Sequence, residues 1–80
     1  MPYIMSNRRE QLRHDWDDPQ NAGELNFLVT EMIKYYWDSR QSYQAICEIT
    51  GALENVKQEF YRRIAVPYEE KKIEEKGDVY

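Results

Sequence analysis

The sequence predicts an all-α fold: an antiparallel helical hairpin over about residues 22–38 and 42–66, with short N- and C-terminal helices, assembled as an oligomer. Three observations carry this. Apolar residues recur at spacings of three and four through two long stretches, and residues suited to helix caps precede both. A chain of eighty residues with one cysteine also has no disulfide to reinforce a small core, which leaves association with other copies as the reinforcement.

The elements follow in order along one expected domain, residues 1–80. Residues 1–20 carry a weak helix signal, in which Ser6 is placed to cap a stretch through about His14, and they read as a weakly ordered segment. The acidic run Asp15, Asp17, Asp18 before Pro19 reads as a linker. Asn21 then begins a capping box with Glu24 three positions on. The helix that follows places Leu25, Leu28, Val29, Met32, Ile33 and Tyr36 on one stripe, which Phe27, Tyr35 and Trp37 widen.

Residues 38–41 form a polar break, and Ser42 is placed to cap a longer helix. Ile46, Ile49, Leu53, Val56 and Phe60 alternate steps of three and four, the a/d pattern of helices that pack lengthwise, and Ile64 continues it. With four polar residues between them, the two helices are expected to turn back on each other. Gly51 flanks the seam and costs about 1 kcal/mol relative to alanine there; close approach of another backbone explains it, or equally drift at a tolerant position. Pro67 is expected to end this helix. The charged tail 67–80 then holds a short helix from Tyr68 to Lys76, stopped by Gly77, with only Tyr68 and Ile73 to dock it.

Charge and composition exclude several function classes. The net charge is −4, and residues 15–31 carry five acidic side chains and no basic one. No segment is the strong cation that duplex nucleic acid or an anionic membrane requires. No apolar run approaches the roughly 18 residues needed to span a bilayer, so a reducing cytoplasm is the expected location. One Cys and one His cannot supply a zinc site, and Cys47 and His14 are too far apart in the pattern to read as a nucleophile and its base. The Asp15, Asp17, Asp18 run lacks the burial that separates an acid from a base, and the three glycines form no phosphate loop. The expectation is binding without catalysis, with no cofactor and no metal.

Seven Tyr and two Trp exceed what a two-helix core can bury. Tyr, Trp and Arg dominate binding hot spots, because they join apolar area to a directional polar group. Two clusters stand out. Phe27, Tyr35, Trp37, Tyr43 and Gly51 are the candidate oligomer or partner interface. Tyr61, Arg62, Arg63 and Tyr68 are the candidate ligand residues, the guanidinium forks for a phosphate or carboxylate and the phenols for stacking on a planar base. The alternative for this second set is a surface pair of Glu59 with Arg63 at i and i+4, with Tyr68 covering the hairpin end.

The run Glu59-Phe60-Tyr61-Arg62-Arg63, with Pro67-Tyr68-Glu69, Lys72-Ile73-Glu74 and Gly77-Asp78-Val79-Tyr80, resembles an uncharacterised family of short bacterial and phage proteins. Gly23-Glu24-Leu25-Asn26-Phe27, Tyr43, and Gly51 with Leu53-Glu54 are similar to it as well, so the resemblance covers about residues 22–80. It implies a phage or prophage context in the cytoplasm of a bacterial host and supplies no catalytic residues. In size, helical organisation and Tyr/Arg supply the chain is also similar to phage proteins that sequester the nucleotide signals of bacterial immunity. That analogy implies a homo-oligomer holding a cyclic dinucleotide or ADP-ribose type of ligand. The alternative is an adaptor that docks a host or phage protein.

Overall fold

The computed structural model describes residues 3–15 and 17–80, with Asp15 through its backbone alone. Among them every regular element is helical: α1 (Ser6–Asp15), α2 (Ala22–Asp38), α3 (Tyr43–Phe60), a π-helical turn (Tyr61–Ala65) and α4 (Val66–Lys76). The fold is all-α. The chain, expected as one domain, divides into two compact units, Met1–Ala45 and Ile46–Tyr80.

In the first unit α2 packs on α1. The reason is electrostatic as well as apolar. The α1 face carrying Arg8, Leu12 and Arg13 meets the α2 face carrying Glu24, Phe27 and Glu31. Arg8 bonds Glu24 at 2.8 Å and Arg13 bonds Glu31 at 3.1 Å, while the Arg13 guanidinium lies 5.5 Å from the centre of the Phe27 ring. Leu12 is fully buried, and Phe27 and Ala45 complete the core. The predicted stripe of α2 is accordingly rotated. Leu25, Val29 and Met32 are exposed, Leu28, Ile33 and Tyr36 are half-buried, and the buried positions are Glu24 and Phe27. Counting apolar residues alone chose the wrong face, because two carboxylates on the buried face have arginine partners that only the fold supplies.

Two of the three predicted caps are present. The Glu24 backbone N–H donates to Asn21 Oδ1 at 2.9 Å, and that of Ala45 donates to Ser42 Oγ at 3.1 Å. The capping box closes one residue early, for Glu24 Oε1 accepts from the Gln20 N–H at 2.9 Å. Ser6 lies inside α1, whose hydrogen bonding begins one residue before it, with Arg9 N–H on the Met5 carbonyl at 3.0 Å.

In the second unit Pro67 does not end the helix. Val66, the residue before it, stays helical at φ −63° and ψ −51°, and its N–H bonds the carbonyl of Tyr61, five residues back. A proline ring inside an α-helix strikes the carbonyl four residues earlier and leaves it without a donor. The wider turn from Tyr61 to Ala65 accommodates that ring, so α3, the π-turn and α4 run on as one helix until Gly77, whose φ of +88° suits glycine. At 1.5 Å per residue this helix is on the order of 50 Å long. Its a/d seam is exposed: Ile46, Leu53, Val56, Phe60 and Ile64 keep 41–69 % of their surface, and only Ile49 is half-buried.

Candidate functional site

The four candidate ligand residues sit at the π-turn and just beyond it, all exposed. The structure does not gather them into one pocket. Arg62 Nη2 donates to Glu59 Oε1 and Arg63 Nε to Glu59 Oε2, each at 2.7 Å. Two guanidinium groups thus grip the two oxygens of one carboxylate, which contains the Glu59–Arg63 surface pair that the spacing allowed. Tyr61 points elsewhere and lines a shallow depression of about 410 Å³ with Lys57 and Gln58. Tyr68 lies under Lys72, whose ammonium is 5.4 Å from the ring centre. Three separate local partners therefore hold the four side chains.

The candidate interface residues also divide. Phe27 is a core residue at 4 % exposure, in contact with Arg13, and is no surface anchor. Trp37 is half-buried, whereas Tyr35 and Tyr43 are more than four-fifths exposed. A side chain added at Gly51 would meet nothing within 4 Å, so within this chain no backbone approach accounts for the glycine.

Two features escaped the sequence reading. One is a groove of about 490 Å³ in the first unit, floored by Leu12, Leu28 and Met32 and rimmed by Arg13, Lys34, Tyr35 and Asp38. Of the predicted α2 stripe, Leu28 and Met32 line it, beside Leu12 of α1. The other is a charge lock in which Arg8 holds Asp17 at 2.6 Å, the Asp18 carbonyl at 2.9 Å and Glu24 at 2.8 Å. The acidic linker is therefore pinned. Hydrogen bonding from Arg8 holds the Glu24 and Asp17 carboxyls below their ordinary range, and Arg13 does the same for Glu31. Sequence reasoning had the five acids of residues 15–31 and the arginines of 8–13 before it, but no signal in spacing pairs them across the linker.

Among the described residues no group of three or more His, Cys, Asp or Glu is placed to hold a metal ion. His14 Nε2 sits 2.9 Å from Glu10, and Cys47 is an exposed free thiol. The side chain of Asp15, one of the three linker acids considered as an acid/base set, lies outside the described residues. No described helix is long and apolar enough to cross a membrane.

A further organised surface is the exposed seam of α3, continued through the π-turn. Phe60, Ile64 and Tyr68 follow one another at steps of four, and the extra residue of the wide turn keeps them near one line where a regular α-helix would let Tyr68 drift toward the flank. The Glu59 clamp and the Lys57 depression lie on the two flanks of this strip. It is an apolar helix face with charged edges, the form in which helices recognise helices.

The chain matches no curated protein and no solved structure. A family model does match, and it covers residues 1–79, including the first twenty residues that the resemblance left out, which contain α1, the packing partner of α2. The chain belongs to the family described as Domain of unknown function (DUF6899).

Proposed function

We propose that this protein is a non-catalytic helical interaction protein that works through the exposed seam Ile46–Ile64. One observation carries the reading: an apolar strip on the order of 500 Å² lies open along a single helix, a size at which exposed patches on soluble proteins are commonly binding surfaces. Its edges are charged and its centre is aliphatic and aromatic, the anatomy of a binding surface rather than of a solvated helix. The strip is tested by replacing Val56 and Phe60 with Asp in the full chain and comparing scattering mass and retained partners with the wild type. A seam that binds gives a wild type heavier than the 9.7 kDa monomer, alone or in a defined complex, and a variant that loses the added mass. A wild type that stays at monomer mass and retains nothing that the variant does not also retain refutes the reading.

A second reading is favoured by the Glu59 clamp. Two guanidinium groups converge on one carboxylate at 2.7 Å, a geometry that suits a phosphate equally well. The clamp is exposed, so Glu59 is held weakly and an anion can take its place. On this reading the protein sequesters a nucleotide-derived signal in the cytoplasm of a phage-infected host, with Tyr61 or Tyr68 stacked on the base. Melting with cyclic dinucleotides and ADP-ribose species tests it. A ligand at about 100 times its dissociation constant adds about 2.7 kcal/mol, and Arg62→Ala with Arg63→Ala removes the shift.

A further inference from the structure

We infer that the seam of α3 is occupied by the same seam of a second copy, running antiparallel, with the pair centred between Glu54 and Asn55. The inference rests on the interaction reading above and names its partner.

Area is the first argument. Two facing strips of on the order of 500 Å² each reach the roughly 1,000 Å² that separates a specific interface from a chance contact. A single partner of the same shape therefore suffices.

Shape is the second. With the centre at 54/55, Leu53 faces Val56 of the other copy, Ile49 faces Phe60, and Ile46 faces the end of the seam near Ile64. Each layer pairs an a with a d position, as antiparallel coiled coils require. Large and small side chains alternate across the layers, and no layer sets Phe60 against Phe60.

Charge decides the direction. The first half of the seam is flanked by Glu48 and Glu54, and the second half by Lys57, Arg62 and Arg63 with Glu59 between them. Antiparallel pairing brings Glu48 level with Arg63 of the other copy on one flank, and Glu54 level with Lys57 on the other. Parallel pairing lays the acidic half on the acidic half and the basic half on the basic half, which like-charge repulsion disfavours. The π-turn contributes as well, since it keeps Ile64 on the seam and, beyond Pro67, Tyr68.

Cysteine cross-linking of the full-length protein tests both partner and direction. In a Cys47→Ser background, Ile49→Cys and Phe60→Cys chains are mixed in equal amounts under a glutathione redox buffer. The expected result is a 49–60 mixed disulfide several-fold above its statistical share, with little of either homodimer. In the antiparallel pair the two copies of residue 49 stand about 16 Å apart along the axis, too far to bridge. A second pair, Glu48→Cys with Arg63→Cys joined by a short bis-maleimide, gives the same answer without touching an apolar residue. An Ile49→Cys homodimer formed as readily as the mixed species means a parallel pair and overturns the inference. A 1:1 complex with a different protein on the seam overturns it too, while leaving the interaction reading intact. Monomer mass at tens of micromolar with no partner on the seam ends both.

Discussion

The Arg8 guanidinium donates to the Glu24 carboxylate at 2.8 Å, across sixteen residues of sequence, and Glu24 in turn accepts the Gln20 N–H at the start of α2. One carboxylate therefore joins α1 to α2 and orders the entry to α2. Arg8 spans the junction by also holding Asp17 and the Asp18 carbonyl.

Removing Arg8 should unfasten the first unit. Arg8→Met is expected to lower the thermal midpoint by more than Arg62→Met, because it leaves the poorly exposed Glu24 carboxylate without its cation, whereas Glu59 stays in solvent and keeps Arg63. Circular dichroism melts of the two variants check this.

The pH dependence has a definite sign. Glu24, Asp17 and Glu31 have lowered pKa values in the folded chain, so they bind protons more readily when unfolded. Their stabilisation is complete above the ordinary carboxylate range of about 4 to 4.5, and it is lost as pH falls through the lowered folded values. The midpoint is expected to be flat from neutral pH to about pH 5 and to fall below it. In Arg8→Met the acid-side slope should be shallower, as read by melts at stepped pH.

Among the described residues Leu12 is the one large side chain with no exposure at all. Leu12→Ala removes the apolar contact between α1 and α2, at about 2–5 kcal/mol for a buried leucine. In a core this small that is enough to melt the first unit, which appears as a loss of helix signal at room temperature and of amide protection confined to that unit.

Asn21 caps α2 by accepting the Glu24 backbone N–H at 2.9 Å, and its amide donates to the Glu24 carboxylate at 3.5 Å. Asn21→Ala is expected to cost about 1 kcal/mol, and Asn21→Asp to recover only part of that, since a carboxylate keeps the cap but faces the Glu24 carboxylate that the amide donates to. Urea titrations distinguish the two.

Pro67→Ala tests the cause of the π-turn. With the ring gone and an N–H restored, the chain from Tyr61 to Val66 is expected to return to regular α geometry, raising helicity and local amide protection. The intrinsic gain is bounded by the roughly 3 kcal/mol that separates proline from alanine in a helix interior. The same change rotates Tyr68 off the seam, so any association through the seam should weaken while the helix strengthens. Hydrogen exchange and sedimentation read the two effects separately.

The sequence by itself determined the helices and their caps. Steps of three and four, with Asn21 and Ser42 in place, are local features, and local hydrogen bonds decide them. It also marked Ile46, Ile49, Leu53, Val56 and Phe60 as one apolar face, because a helix carries its own periodicity wherever it lies.

Only the tertiary structure decided what each face meets. Phe27, not the Leu25–Met32 stripe, is buried, because Arg8 and Arg13 neutralise Glu24 and Glu31 beside it. Four ligand candidates within eight residues of sequence, Tyr61, Arg62, Arg63 and Tyr68, take three different partners, because side chains on a helix radiate. Pro67 interrupts an α-helix by steric contact, yet a wider turn absorbs that contact and keeps the seam straight. In each case the deciding term is a pairing between groups that one-dimensional spacing does not encode: a cation with a carboxylate across a linker, or a ring with the room that a distorted turn makes for it.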